Sequence, residues 1–293
     1  TGRHIFQYNL AYITQAPYYR ETFISPRTRD HVVDGLKSET IMSGDLTYTI
    51  RTPVLQGRIT GYYTELQDQT DIISFYHDED ATFVNYVMDG IDQRYQGFEI
   101  GLNADITSTF SLKGVAALGE YVYSSRPEVT IIKDNMSEIL VDDQTVYVKD
   151  FFISGTPQTA YSIGFNYDSP KYWWVEVSAN YFQDIYLSFN PARRTTPAIT
   201  NLDYDSPYGM SKAKEITRQE RLEDAYTIDF TGGKSWKFND YYLSLFLSVD
   251  NVLNNQEFIT GGYEKLRFDY DTKNISNFPP RYYYAYGRTY YLI

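Results

Sequence analysis

The chain has 293 residues, with 38 Asp plus Glu against 26 Lys plus Arg and a formal net charge of −12, and it contains no cysteine. The excess of acid argues against a nucleic-acid partner, which needs a basic stripe, and the lack of cysteine excludes disulfides and thiol chemistry. Aromatic residues make up 17% of the chain, which is not the composition of a disordered protein, and no run of about 18 apolar residues predicts a membrane-spanning helix.

Apolar and polar residues alternate along most of the chain, which is the pattern of strands with two different faces. The clearest case lies at 98–106, where Phe98, Ile100 and Leu102 alternate with polar residues and glycine. We predict about ten strands, at 3–14, 39–51, 54–67, 93–106, 110–124, 157–168, 172–189, 225–238, 241–260 and 281–293. Short connections alternate with long ones, and the long ones lie at 15–38, 68–92, 125–156, 190–224 and 261–280.

This alternation of connection lengths favours a β-barrel that crosses a membrane. Outer-membrane barrels have tight turns at one rim and long loops at the other, and their strands point apolar residues at lipid and polar residues inward. Aromatic residues near the strand ends support this reading, because tyrosine and tryptophan favour membrane interfaces. A soluble β-sandwich is the weaker alternative, since its apolar faces meet in a core and nothing requires its loop lengths to alternate. We predict an all-β, transmembrane antiparallel barrel with short periplasmic turns and long external loops.

Short motifs at the strand boundaries are typical of one family. The segments are Gln15-Ala16-Pro17, Leu36-Lys37-Ser38-Glu39, Gln96-Gly97-Phe98-Glu99-Ile100, Leu247-Ser248-Val249-Asp250-Asn251-Val252-Leu253-Asn254-Asn255 and the closing segment 279–293. Together they resemble the C-terminal half of the TonB-dependent outer-membrane receptors, and the stretch 247–255 is the most specific match. Ser38 and Ile293 depart from the family pattern, in which proline and an aromatic residue are usual at these positions.

The resemblance implies a barrel of about twenty-two strands around an N-terminal plug. Residues 1–293 would then form the C-terminal part of the barrel, with the plug and the earlier strands on a missing part or on another chain. The implied function is uptake of a scarce solute, such as a siderophore, a glycan or a peptide, across the bacterial outer membrane with TonB-coupled energy. The implied partners are TonB, reached through the missing N-terminal part, the plug or remaining strands, outer-membrane lipid and a surface lipoprotein.

Two other membrane barrels remain open as alternatives: a passive porin and a ten-stranded outer-membrane protease. His77 stands beside Asp78, Glu79 and Asp80, and His31 stands near two further acids. A histidine oriented by a carboxylate can activate water. Such neighbours are also common in solvated loops, so the motifs favour the receptor, and we expect no enzyme activity, no catalytic residue, no cofactor and no metal site.

Solute contacts are expected in the external loops, because aromatic rings and guanidinium groups offer stacking and planar hydrogen bonding. The candidate ligand-binding residues are Tyr18, Tyr19, Arg20, Arg193, Arg194 and Tyr208. The alternation also predicts a set of charged residues facing the barrel interior, namely Arg51, Arg58, Glu99, Asp105, Lys113, Glu176, Asp229 and Arg288.

Overall fold

Long antiparallel strands dominate the computed structural model, which describes residues 2–26, 30–78, 80–134, 136 and 138–293. The strands in this described part are β1 His4–Gln15, β2 Glu39–Arg51, β3 Leu55–His77, β4 Thr82–Asp105, β5 Phe110–Tyr123, β6 Glu128–Lys133, β7 Ile139–Thr145, β8 Thr159–Ser169, β9 Trp173–Gln183, β10 Ala225–Phe238, β11 Tyr241–Asp250, β12 Ile259–Tyr263, β13 Arg281–Tyr284 and β14 Thr289–Leu292. The helices are α1 Tyr19–Thr22, α2 Thr196–Ile199 and α3 Pro207–Thr217, with 3₁₀ turns at Pro191–Arg194 and Ile275–Asn277. Within the described residues, no helix has the length and apolar character needed to cross a membrane.

One sheet carries the architecture, in the order β1-β2-β3-β4-β5-β8-β9-β10-β11-β14. Each strand pairs antiparallel with its neighbour along this order, which confirms the predicted set of about ten up-and-down strands. The sheet is open, with β1 and β14 at its two ends, so these strands form a barrel wall that is not closed on itself. Tight turns lie at one rim, and the long loops lie at the other.

The register separates an apolar face from a polar face. Leu102, Gly114, Ile163, Ala179 and Ile228 lie side by side across five strands. One position along, the corresponding row is Asn103, Lys113, Gly164, Ser178 and Asp229. Phe98 and Leu102 are 59% and 47% exposed, so the apolar side chains of the wall point outward and do not meet in a dry interior. This is the arrangement that the alternation predicts.

The polar face carries most of the charged residues predicted to face the interior. Lys113 and Glu176 form an ion pair of 2.9 Å across β5 and β9. Arg58 donates to Thr60, and Asp229 accepts a hydrogen bond of 2.7 Å from Asn180. Arg288 was placed on the wrong face by the sequence pattern. It precedes β14, and its guanidinium donates to the hydroxyl of Tyr290, which pairs with Val249 on the apolar face.

The predicted connection at 68–92 is not a loop, because β3 and β4 continue through it as a long hairpin. Asp68 on β3 and Gly90 on β4 have positive φ values of 58° and 63°. Near them, between Leu66 and Asp71 of β3, the pairing register of β3 with β4 shifts. This irregularity brings Ile91 and Met88, three residues apart, into one buried cluster, whereas a regular strand would point them to opposite faces. The predicted connection at 125–156 likewise contains β6 and β7, which extend the hairpin from β4.

Two predicted strands end earlier than their sequence pattern indicates, and the predicted strand 281–293 is divided into β13 and β14. β9 ends at Gln183 and β11 at Asp250, each followed by a residue with positive φ, Asp184 and Asn251. The apolar residues after these points belong to separate loop structure, where β12 pairs with β13 in a two-stranded sheet. Because residues 281–284 pair with β12, the closing strand β14 of the wall is only four residues long.

Candidate functional site

The long loops at one rim pack into a structured cap over the wall. The cap has its own core, in which Val84, Tyr86 and Met88 of β4 pack against Val129 and Ile131 of β6. Loop residues 146, 148 and 192 complete this cluster from further along the chain. The long loops therefore form a folded layer with a core of their own.

Arg194 is the most deeply buried charged side chain of the cap, with 0% of its side chain exposed. Its Nη2 donates to the carbonyl of Arg218 at 2.6 Å and to Oε1 of Glu264 at 2.8 Å, and its Nε donates to the carbonyl of Thr217 at 3.3 Å. The guanidinium carbon lies 5.5 Å from the ring centre of Phe151. This geometry leaves no face of the group open to a solute.

Arg193 completes the same anchor. Its Nε donates to the carbonyl of Ile216 at 2.9 Å and its Nη2 to the carbonyl of Glu215 at 3.2 Å, while Nη1 lies 3.1 Å from Glu264. Burial lowers the pKa of Arg193 to about 10, and the nearby Glu264 opposes this shift. The residue therefore stays charged at neutral pH.

The two arginines together satisfy the last carbonyls of α3, where a positive charge also favours the helix dipole. They were expected to contact solute, but the structure gives them a structural role because both guanidinium groups are occupied by backbone and Glu264. The sequence held no signal for this pairing, since Glu264 lies 70 residues from Arg194.

Glu264 also joins two loops that are distant in sequence. Its Oε2 accepts a hydrogen bond of 2.8 Å from the backbone N–H of Asn190, and the side chain of Asn190 donates to the carbonyl of Lys265. Lys273 of the same loop donates to the carbonyls of Pro197 and Ala198 at 3.2 Å. The loops 184–224 and 251–288 are therefore held together by buried polar contacts.

The opposite end of α3 is open to solvent. Tyr208, in its first turn, is 77% exposed, and Tyr204 and Met210 are exposed beside it. Ser206 caps the helix by accepting from the N–H of Gly209 at 3.1 Å. Gly209 admits no side chain, because a Cβ there would lie 1.9 Å from the carbonyl oxygen of Asp203. Tyr204, Tyr208 and Met210 therefore form one exposed set at this end of the helix.

The other predicted contact residues lie on a different loop. Tyr18 and Tyr19 are exposed at α1, and Arg20 is exposed with an ion pair of 3.2 Å to Glu21. The ring of Tyr19 packs against Phe23. α1 packs against β3, whereas α3 packs against α2 and the 3₁₀ turn at 191–194, so different parts of the cap hold the two groups.

The histidines considered for proteolysis do not form an open catalytic site. His77 is 5% exposed and its ring lies among Phe75, Tyr86 and Tyr270. Its Nδ1 is 2.8 Å from Asp80, but the ring is enclosed. Asp78 is bound by Arg267 through a bidentate ion pair, which the sequence did not predict.

The remaining predicted acid, Glu79, lies outside the described residues. His31 is half-buried, and its backbone carbonyl accepts a hydrogen bond from the N–H of Ile24. Within the described ranges, no group of three or more His, Cys, Asp or Glu is placed to hold a metal ion.

Comparison with known proteins gives one family and a set of similar folds. Residues 6–252 match a family model described as "TonB dependent receptor-like, beta-barrel". A search of curated protein sequences returned no match to the chain.

Solved structures resemble the fold at low identity. The copper transporter OprC shares 16% identity with a TM-score of 0.59, over 99% of this chain and 36% of that one. The ferric yersiniabactin uptake receptor FyuA from Yersinia pestis shares 12% at 0.56, over 100% and 34%. The FrpB iron transporter from Neisseria meningitidis shares 13% at 0.54, over 100% and 37%. At such identities the likeness concerns the fold alone, and the chain spans about a third of each structure's length.

Proposed function

Because the chain belongs to the TonB-dependent receptor-like β-barrel family, we propose that it forms the C-terminal part of an outer-membrane transporter that takes up a scarce solute with energy relayed through TonB. The family consists of transporters and not of enzymes, in agreement with the enclosed position of His77. The observation that carries the proposal is the two-faced wall. Its apolar face suits hydrocarbon, its polar face suits a wet interior, and a folded cap lies at one rim.

The wall requires more strands than these ten. Among the described residues, the twelve of β1 pair with β2 alone, and backbone groups left unsatisfied in hydrocarbon cost several kcal/mol each. We therefore place the remaining strands and the plug on a part of the transporter outside residues 1–293. That part would make the contact with TonB, and a surface lipoprotein would meet the cap from outside.

Solute capture is assigned to exposed side chains of the cap. Tyr208 is the strongest candidate, because its ring is exposed at the first turn of α3 and the buried anchor holds the other end of that helix. Tyr18, Tyr19 and Arg20 supply a second set of exposed rings and a guanidinium. Arg193 and Arg194 serve this function indirectly by holding α3.

The similar structures suggest the first solutes to test. OprC is named as a copper transporter and FyuA as a ferric yersiniabactin uptake receptor. The test panel consists of radiolabelled copper, ferric siderophores, glycans and peptides. Cells expressing the full-length protein should accumulate one of these solutes. Accumulation should stop when TonB is deleted and return when it is restored.

The alternatives give different outcomes in the same cells. A passive porin would pass solute without TonB and would show steady conductance in a planar bilayer. Uptake that continues unchanged after deletion of TonB would therefore contradict energy coupling. Cleavage of added peptides that is lost in His77→Ala would instead support the protease.

A further inference from the structure

A cleft of about 460 Å³ lies in the cap, between the end of β3 and the loop that joins β12 to β13. β3 is followed at once by Asp78, which lines one side of the cleft. The loop supplies Asp269, Tyr270, Asp271 and Phe278 on the other side. The volume is that of a site for a small molecule, which generally occupies about 300–1,000 Å³.

Two of the three carboxylates in the cleft are already bound by the protein. Asp78 accepts hydrogen bonds from Arg267, from Nε at 2.8 Å and from Nη2. Asp269 accepts four hydrogen bonds from its own loop, at 2.7–3.1 Å. Within the part of the chain that the structure describes, the carboxylate of Asp271 has no hydrogen bond or ion pair. Asp271 is therefore the acceptor that the cleft offers to a ligand.

Two aromatic rings complete the lining. The guanidinium carbon of Arg267 lies 4.5 Å from the ring centre of Phe278. The ring of Tyr270 packs edge-on against Phe268, with 5.0 Å between the ring centres. Phe268 is buried in one cluster with Ile216 of α3. The loop that forms the cleft is thus supported by the helix to which the proposed capture of solute belongs.

This lining disfavours charged solutes. A cation would be attracted to the ring of Phe278 beside Asp78, but Arg267 already occupies that place. An anion would be repelled by Asp271, while the positive charge of Arg267 is engaged by Asp78. What remains suits a neutral molecule that has an apolar face and hydroxyl groups at its edge. Aromatic rings contact such a face, and a carboxylate oxygen accepts from the hydroxyls.

We propose that the cleft binds a sugar unit of a neutral oligosaccharide, and that this class of molecule is the solute of the transporter. The C–H face of the sugar would lie against Tyr270 and Phe278, and one of its hydroxyls would donate to Asp271. The inference rests on the transport function proposed above and adds to it the class of solute.

The test uses the full-length protein, purified in detergent, and an array of neutral oligosaccharides. A ferric catecholate siderophore and spermidine serve as the anionic and the cationic probe. At least one oligosaccharide should bind, and Asp271→Ala should weaken its binding by about two- to tenfold, as expected for the loss of one hydrogen bond. Asp142→Ala is the control, because it removes the same charge from an exposed position of the cap that does not line the cleft. Its binding should equal that of the unaltered protein.

Phe278→Leu tests the aromatic contact, since it keeps an apolar side chain in the cleft but has no ring. Binding of the same oligosaccharide should again fall by about two- to tenfold. Folding of each variant is checked by the heat-dependent gel mobility of the barrel. Four results would overturn the proposal: no oligosaccharide of the array binds, Asp271→Ala and Phe278→Leu both bind normally, Asp271→Ala and Asp142→Ala lose affinity equally, or the siderophore or spermidine is the probe whose binding depends on Asp271.

Uptake by whole cells separates this inference from the proposed function. TonB-dependent accumulation of a siderophore, together with no binding on the array, would show that the class of solute is wrong while the transporter stands. Binding of an oligosaccharide that depends on Asp271, together with uptake that persists without TonB, would support the site and contradict the energy coupling.

Discussion

The side chain of Asn251 reaches the segment between β13 and β14, where its Nδ2 donates to the carbonyl of Tyr286 at 3.1 Å. The same amide donates to the carbonyl of Asn255, and its Oδ1 accepts from the N–H of Asn255 at 2.9 Å. The backbone N–H of Asn251 donates to Asp229 on β10. One buried side chain thus joins the end of β11 to the closing segment, which gives the most specific sequence motif, 247–255, a physical role.

Replacing Asn251 by Ala should destabilise the barrel wall. The change removes three hydrogen bonds, each contributing about 0.5–1.5 kcal/mol, and it places alanine at a positive φ of 52°. The measurement is the free energy of unfolding in detergent micelles. Asn274→Ala is the control, because Asn274 makes a similar bond to the N–H of Ser276 in an exposed turn. Equal losses in the two variants would contradict the role of Asn251.

Glu264→Ala should destabilise the cap strongly. It would leave the fully buried Arg194 without its carboxylate, and removing one member of a buried ion pair costs about 3–5 kcal/mol. Limited proteolysis of the loops 184–224 and 251–288 would report the loss of packing. Glu257→Ala, at an exposed carboxylate, should leave the loops as resistant as before. Unchanged protection in Glu264→Ala would show that Arg194 does not depend on this partner.

Tyr208→Ala should weaken solute capture and leave folding intact. An aromatic contact contributes about 0.5–1.5 kcal/mol, so the apparent affinity for uptake should fall by about two- to tenfold. Tyr241→Ala is the matched control, because Tyr241 is 79% exposed against 77% for Tyr208 but lies at the rim of tight turns. Transport measurements in whole cells decide this, and equal effects of the two variants would remove Tyr208 from the capture surface.

The turn around Asp269 should loosen in acid. Hydrogen bonds from the side chain and the N–H of Thr272 lower the pKa of Asp269 below 3.8. A carboxyl group with a lowered pKa stabilises the fold above its unfolded pKa, and this contribution disappears as the pH falls through the folded value. The hydrogen-exchange protection factors of the segment 269–277, which correct for the intrinsic effect of pH on exchange, should therefore fall below about pH 4. Thr272→Val removes the hydroxyl donor and keeps the N–H, so it should move this change to higher pH, and an unchanged profile in that variant would rule out the Thr272 hydroxyl as a cause.

The wall could be predicted from sequence because its two faces meet two different solvents. For β2 the predicted and observed ranges are both 39–51, since alternation persists over the whole strand. Alternation fails where the register shifts, so the part of the hairpin beyond Asp68 and Gly90 was predicted as a loop although it is paired strand. Its apolar side chains pack inside the cap, which gives them no lipid-facing pattern to follow.

The cap was less predictable because its contacts join distant parts of the chain. Tyr208 was predicted to contact solute, and its exposed position leaves that prediction open, but the burial of Arg194 depends on Glu264 and on carbonyls at the end of α3. The residues next to an arginine in the sequence do not show what its guanidinium binds. The partner can be a solute or a carboxylate far along the chain.

The central claim is that the apolar face of the wall meets lipid and the polar face meets water. The most direct measurement compares Leu102→Arg with Asn103→Arg, two neighbouring positions on opposite faces of β4, by the free energy of unfolding of the full-length barrel in lipid bilayers. Leu102→Arg should cost about 2–4 kcal/mol because it places a charge in hydrocarbon, and Asn103→Arg should cost far less. Equal costs at the two positions would contradict the assignment of the faces.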